Sequence, residues 1–228
     1  MPTAIVTGAS RGLGFALTRA LLRDGHRVVV DARGASGLDA AVRELSGPGG
    51  LVAVRGDVAD AGHRRALVEA AGERIDLLVN NASVLGPSPQ PGLADYPLDV
   101  LEHVYRVNVL APLALIQLAL PVLSDDARIV NVTSDAAVEP YEGWGGYGSS
   151  KAALEQLTAI LAAEHPGLRV YAVDPGDMRT HMQQDAFPGE DISDRPPPEE
   201  SVPGLLALVG GDLPSGRYRA AEIAGARA

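Results

Sequence analysis

Tyr147 and Lys151 stand four residues apart, a spacing that puts a phenol and an ammonium on one face of a helix, one turn from each other. A phenol ordinarily gives up its proton near pH ~10. An ammonium beside it favours the phenolate and brings proton exchange nearer neutrality. The pair alone also describes an ordinary surface contact, so its weight depends on the segments around it.

Three segments supply that context. Thr7-Gly8-Ala9-Ser10-Arg11-Gly12-Leu13-Gly14 follows the β-rich apolar run Thr3–Val6 and precedes an amphipathic helix pattern from Phe15 to Arg23. Strand, glycine turn and helix in that order suit a pyrophosphate: glycines admit it close to the backbone, and the helix N-terminus offers free N–H groups. The glycine spacing is G-x-x-x-G-x-G rather than G-x-G-x-x-G. Asn80-Asn81-Ala82-Ser83 follows the apolar run Ile75–Val79. Asparagines at such a strand end bond neighbouring loops or a ligand, or simply make a turn. Ser134 ends the strand pattern Arg128–Thr133, thirteen residues before Tyr147. Ligands of open α/β sheets gather outside the carboxyl ends of the strands, although a serine there also serves as a cap.

Taken in order, from about Thr3 to Thr180, these segments resemble the short-chain dehydrogenase/reductase family in its compact single-domain branch. The family's T-G-x-x-x-G-x-G is met at Thr7, Gly8, Gly12 and Gly14. Its N-N-A-G is met at Asn80, Asn81 and Ala82, with Ser83 in place of the glycine. Its helix asparagine is met at Asn108, its serine at Ser134, its Y-x-x-x-K at Tyr147 and Lys151, and its P-G-x-x-x-T at Pro175, Gly176 and Thr180. The resemblance implies hydride transfer between a nicotinamide and a carbonyl or secondary alcohol. Tyr147 is then the general acid/base and Ser134 orients the reacting oxygen. Lys151 lowers the tyrosine pKa and binds the nicotinamide ribose, and Asn108 holds a water in the proton path.

The implied cofactor site comprises Gly8, Ser10, Arg11, Gly12, Leu13, Gly14, Arg33, Asp57, Val58, Asn81, Ala82, Tyr147, Lys151, Pro175, Gly176 and Thr180. Asp57 fits equally as the N-cap of the helix that begins at Ala61. By position, Val84, Leu85, Asp135, Ala136, Trp144, Asp177, Met178, His181 and Met182 border the substrate. Asp135, Glu139, Glu142 and Asp177 cluster around the expected mouth, which suits a cationic or polyhydroxylated substrate or is plain loop solvation. The same scaffold also supports dehydration, epimerisation or cyclisation, or a non-catalytic dinucleotide-binding regulator. These readings stand as alternatives.

NADP(H) is favoured over NAD(H). The family's usual acidic position at the end of the second strand is Ala32 here; Arg33 follows it, and Arg11 adds a second cation in the glycine turn. Asp31 complicates this reading. Successive strand side chains point to opposite faces, so Asp31 is expected to point away from where Ala32 points. A one-residue slip would reverse that and favour NAD(H).

The elements that position these residues alternate. Strands are expected at Thr3–Val6, Arg27–Ala32, Leu51–Arg55, Ile75–Asn80, Arg128–Thr133 and Leu168–Asp174, with a short last one at Arg217–Arg219. Helices are expected at Leu13–Asp24, Gly37–Leu45, Ala61–Glu73, Leu98–Leu123 and Tyr147–Glu164, with a short apolar one at Val202–Val209. Pro112 and Pro121 interrupt the fourth helix. The strands are rich in Val, Ile and Leu without strict alternation, as in strands buried on both faces. The pattern predicts a Rossmann-like, doubly wound parallel α/β sheet of about seven strands, as one domain over residues 1–228. Composition turns polar, acidic and Pro-rich from Gln183 to Ser201. Composition alone suits a disordered insertion, whereas the family resemblance implies a substrate lid, which we place at residues 178–201.

The chain of 228 residues is 46% apolar, enough for a substantial core in one domain. It has no cysteine, which removes disulfides, Cys-ligated zinc and thiol nucleophiles. The histidines show no ligand spacing, and no metal site is expected. The net charge of −10 argues against nucleic-acid partners. No signal peptide is read at the N-terminus, and no run approaches the roughly 18 apolar residues of a membrane span. The expectation is a cytoplasmic protein acting on a small molecule. The family resemblance implies a homodimer or homotetramer through the helices at Leu98–Leu123 and Tyr147–Glu164.

Overall fold

The structure is a computed structural model that describes residues 1–45 and 47–225. Seven parallel strands form one sheet: β1 (Thr3–Val6), β2 (Arg27–Ala32), β3 (Leu51–Arg55), β4 (Ile75–Asn80), β5 (Leu123–Val132), β6 (Arg169–Asp174) and β7 (Gly216–Arg219). Their order is β3-β2-β1-β4-β5-β6-β7. The chain winds outward from β1 in one direction and from β4 in the other. The crevice outside the β1 and β4 carboxyl ends is therefore the topological switch point.

Strand periodicity divides the core into two layers. Ala4, Val6, Val28 and Val30 face α1 (Gly12–Arg23) and α2 (Ala35–Glu44), together with the later helices α8 (Val202–Gly210) and α9 (Ala220–Gly225). Ile5 and Val29 face the other way, with Leu78 and Ile129, against α3 (Ala61–Ala71), α5 (Ala111–Ala119) and α6 (Gly145–Glu164). All of these strand residues are fully buried, so the continuous apolar runs reflect burial on both faces.

Two elements depart most from the expected bounds. The helix expected over Leu98–Leu123 is broken into α4 (Leu98–Tyr105), a π-helical turn (Arg106–Leu110), α5 and a 3₁₀ turn (Leu120–Val122). Pro112 lies in the first turn of α5, directly after the π-helical turn. By length and composition Leu98–Val122 is apolar enough to cross a membrane, contrary to the expectation of no such run. Half of its most apolar window is buried inside the protein. Strand β5 starts at Leu123 rather than Arg128, because Leu123 pairs with Ile75 ahead of a register irregularity; the polar Ser124-Asp125-Asp126 hid that extension.

The polar stretch after Thr180 is folded. It opens with α7 (His181–Ala186), a helix absent from the sequence reading. The Arg179 N–H donates to the Pro196 carbonyl (2.8 Å), and the Gln184 amide donates to the carbonyls of Phe187 and Glu190 (3.0 Å each). Ile192 is buried beneath this return.

Candidate active site

A cavity of about 850 Å³ runs along the carboxyl ends of the strands, from Arg33 and Asp57 past the glycine turn to Ser134, Tyr147 and Lys151, and ends under α7. Its size is that of sites that enclose cofactor-sized ligands.

Tyr147 sits in the first turn of α6, and Lys151 follows on the same face. Both are buried. The Lys151 ammonium donates to the Val132 carbonyl (2.8 Å) and lies 5.4 Å from the centre of the Tyr147 ring. It therefore meets the ring face, a cation–π arrangement. Burial pushes the Tyr147 phenol well above its ordinary range, against an opposing pull from the hydroxyls of Ser83 and Ser134. Burial also pulls Lys151 down to about 8, against the Glu155 carboxylate that favours its charge. In the ligand-free protein burial is the largest influence on the phenol.

Ser134 follows β5 and caps a 3₁₀ turn, accepting from the Ala136 N–H (3.2 Å). Its hydroxyl donates to Asp135 Oδ1 (2.9 Å), and the Tyr141 hydroxyl donates to Asp135 Oδ2 (2.9 Å). Arg217 of β7 ties this corner together. It donates to Glu155 (2.9 Å), to the Ser134 carbonyl (3.3 Å) and to Asp174 (3.3 Å), while the Thr133 hydroxyl donates to the same Glu155 oxygen (2.7 Å). Glu155 is one turn beyond Lys151, so this network registers the lysine's helix against the serine's strand. A second, buried chain runs deeper: Asn80 donates to Asn131 (2.8 Å), which donates to Thr158 of α6 (2.8 Å). Fully paired buried networks of this kind fix one arrangement.

Asn108 stands in the π-helical turn, a feature common at functional sites. It does not line the cavity. Its amide donates to the Val84 carbonyl (2.9 Å) and to Ser150 Oγ (3.0 Å), and its oxygen accepts from the Val84 N–H (2.9 Å) and Ser83 Oγ (3.1 Å). Its side chain therefore holds the loop after β4 against α6.

At the other end, Gly8 adopts φ +67°, and a Cβ there would lie 2.8 Å from the Ala82 Cα. Asn81 secures the contact by donating to the carbonyls of Thr7 (2.8 Å) and Gly8 (3.2 Å). The second asparagine of the motif thus binds the glycine turn. Gly14, expected at the cofactor, lies off the cavity: a Cβ would meet the Gly8 carbonyl at 2.6 Å, so this glycine lets α1 pack on the turn. Ser10, Arg11, Gly12, Leu13, Arg33, Asp57, Val58, Pro175, Gly176 and Thr180 border the cavity. Thr180 also caps α7 by accepting from the Gln183 N–H (3.3 Å). Arg11 and Arg33 are exposed and form no ion pair among the described residues. Asp57 is not the cap of α3. That role belongs to Asp60, which accepts from the His63 N–H (2.7 Å), while Asp57 closes a tight turn onto the Ala59 N–H (2.8 Å).

The substrate end combines an apolar wall with an acidic mouth. Leu85, Trp144, Met182, Ala186 and Phe187 border it, and Trp144 packs edge-on against Tyr147 and obliquely against Phe187 (5.9 Å each between ring centres). Val84, Asp135, Glu142, Asp177, Met178 and His181 also border it, whereas Ala136 packs behind Tyr147. Glu139 lies off the cavity, and Asp177 faces Arg195 at 3.7 Å. The sequence reading missed Ser83, Tyr141 and Phe187 as lining residues. The signal for Ser83 was its departure from the N-N-A-G pattern. Tyr141 and Phe187 lie on loops, where no periodicity marks a facing side.

Cradle, cavity and buried Tyr–Lys pair fit a nicotinamide dinucleotide. A family profile described as short chain dehydrogenase matches residues 2–191. The chain is 37% identical over 191 residues to the rhamnolipids biosynthesis 3-oxoacyl-[acyl-carrier-protein] reductase of Pseudomonas aeruginosa, covering 78% of this chain and 73% of that protein. It is 34% identical over 193 residues to a benzil reductase ((S)-benzoin forming) of Saccharomyces cerevisiae, covering 79% and 73%. A short chain dehydrogenase from Shigella flexneri, solved in complex with NADP, superposes with a TM-score of 0.88 at 28% identity over 96% of both chains. The chain belongs to the short-chain dehydrogenase/reductase family of oxidoreductases.

Proposed function

We propose that this enzyme is an NADP(H)-dependent reductase of apolar, aryl-bearing ketones, reversible to the corresponding secondary alcohols. The observation that carries the reading is the buried Tyr147–Lys151 pair at one end of a single cavity whose other end presents Arg33 and Arg11. When bound, the dinucleotide supplies or accepts the hydride. Gly8, Gly12 and the N–H groups at the start of α1 hold the diphosphate, and Arg33 and Arg11 meet the 2′-phosphate. Ser134 fixes the substrate oxygen by hydrogen bonding. Tyr147 gives that oxygen its proton in reduction and takes it back in oxidation. Lys151 holds positive charge beside the tyrosine and binds ribose hydroxyls, and the turn at Asn108 keeps a water in the path that resupplies the proton.

The apolar wall of Leu85, Trp144, Met182 and Phe187 favours a flat apolar substrate. The carboxylates of the acidic mouth have partners within the protein: Asp135 accepts from two hydroxyls, and Asp177 faces the Arg195 guanidinium. Residues 178–201 act as the lid, held to the facing loop by the Ser88 hydroxyl, which donates to the Asp185 carbonyl (2.6 Å). Exposed Leu98, Leu110 and Ile160 on the α4–α5 and α6 surfaces suit pairing with a second copy.

The test is a panel of aryl, alkyl and amine-bearing ketones with NADPH and NADH. The reading expects NADPH oxidation stoichiometric with alcohol formation, fastest with aryl ketones. Product formed without cofactor oxidation would transfer the scaffold to dehydration, epimerisation or cyclisation. Dinucleotide binding without turnover of any substrate would favour a regulator.

A further inference from the structure

Asp31, next to last in β2, is 1% exposed and points its carboxylate to the same face as Val29, toward α3. Two donors hold it. The Gly8 N–H of the glycine turn meets Oδ1 at 2.7 Å, and His63 Nε2 meets Oδ2 at 2.8 Å. A carboxylate only accepts, so Nε2 carries a proton. The imidazole is itself buried, and the His63 main-chain N–H donates to Asp60 at the start of α3, which anchors the residue that carries the ring. Room for it comes from Gly56, whose Cβ, if present, would lie 2.2 Å from the ring. Gly8, Asp31, Ala32, Arg33 and Gly56 all border the adenosine end of the cavity, whereas His63 lies behind them.

A carboxylate at this strand end is the group that disfavours a 2′-phosphate. Here the carboxylate, although on the cavity wall, is held onto the Gly8 N–H and His63, and the exposed cation beside it is Arg33. We infer that His63 determines cofactor choice as a positioning residue: by holding Asp31 against the Gly8 amide it keeps that carboxylate from opposing a 2′-phosphate beside Arg33. The inference rests on the NADP(H) reading. Without the imidazole donor, Oδ2 is buried and unpaired, a costly state relieved by rotation toward the open cavity. There it repels the 2′-phosphate and accepts from ribose hydroxyls.

The test is equilibrium binding of NADP+ and NAD+ by calorimetry, which requires no turnover. In His63→Leu the affinity for NADP+ relative to NAD+ falls about tenfold or more. In His63→Gln, which retains a donor, the ratio stays within about threefold of wild type. Asp31→Asn also leaves the ratio within about threefold, because the wild-type carboxylate is already held away. Ligand-free unfolding midpoints show which variants fold; if His63→Leu does not, His63→Met is read in its place. Equal weakening of both ligands in the apolar variant, or an unchanged ratio, overturns the role of His63. So does a tenfold gain in NADP+ preference in Asp31→Asn. A wild-type preference for NAD+ contradicts the NADP(H) reading itself, and the wild-type measurement alone decides that.

Discussion

The Lys151 ammonium bonds the Val132 carbonyl at 2.8 Å and faces the Tyr147 ring at 5.4 Å, so two buried groups with opposite burial shifts share one site. Burial raises the phenol above its ordinary range and pulls the ammonium down to about 8. The phenol therefore remains a proton donor throughout the neutral and mildly alkaline range, and Lys151 loses its charge first. In the reductive direction kcat/KM is expected to be level through neutrality and to decline as pH passes about 8. In the oxidative direction, which requires the phenolate, the rate is expected to rise with pH. The pair of pH profiles checks this; a reductive profile level to pH ~10 contradicts it.

The same lysine makes a stability prediction. Its folded pKa, about 8, lies below the unfolded value of 10.5. Below pH 8 both states are charged and burial of the charge costs on the order of 3 kcal/mol. Between the two values the unfolded state holds the extra proton, so stability rises with pH and the cost fades. Lys151→Met is expected to be inactive yet more stable than wild type at pH ~7 by a few kcal/mol, with the gap closing toward pH ~10. Comparing the two proteins isolates the lysine, because Tyr147 is common to both. Urea denaturation at the two pH values provides the measurement.

Tyr147→Phe removes the proton donor and leaves the ring that packs against Trp144 and lies beneath Lys151. Turnover is expected to fall by about 10²–10⁴-fold, with dinucleotide affinity changed by less than about threefold. Steady-state kinetics beside binding calorimetry separates the two. A comparable loss of binding would make the residue structural.

Asn108→Ala leaves the N–H and C=O of Val84 without their side-chain partner. A loss on the order of 2–4 kcal/mol in unfolding free energy is expected, together with a raised KM for substrate as the loop after β4 loosens. A raised KM with unchanged stability would instead mark direct substrate contact.

The strand periods made the sheet legible. Val28, Val30 and Ala32 against Val29 and Asp31 sort into the two core layers, and the side that Asp31 faces follows from that parity. The reading stopped at the partner: nothing in the spacing of Asp31 and His63 announces a contact across two strands and a helix. Motif matching located the glycine turn, Ser134, Tyr147 and Lys151 on the cavity wall. Gly14, Asn108 and Ala136 serve instead to pack or brace the residues that line the cavity. Interruptions were expected at Pro112 and Pro121; the π-helical turn Arg106–Leu110 lies just before the first, and a 3₁₀ turn holds the second. Loop residues such as Tyr141 and Phe187 carry no period and are visible only in three dimensions.

Hydride transfer between a nicotinamide and a carbonyl, with Tyr147 moving the proton, is open to a direct test. We would follow deuterium from NADPH labelled at the transferable nicotinamide position into the product of an aryl ketone, by mass spectrometry, in wild type and in Tyr147→Phe. One deuterium is expected on the carbinol carbon in wild type, and almost no labelled product from the variant. Product that carries no deuterium while NADPH is bound and unconsumed would contradict it.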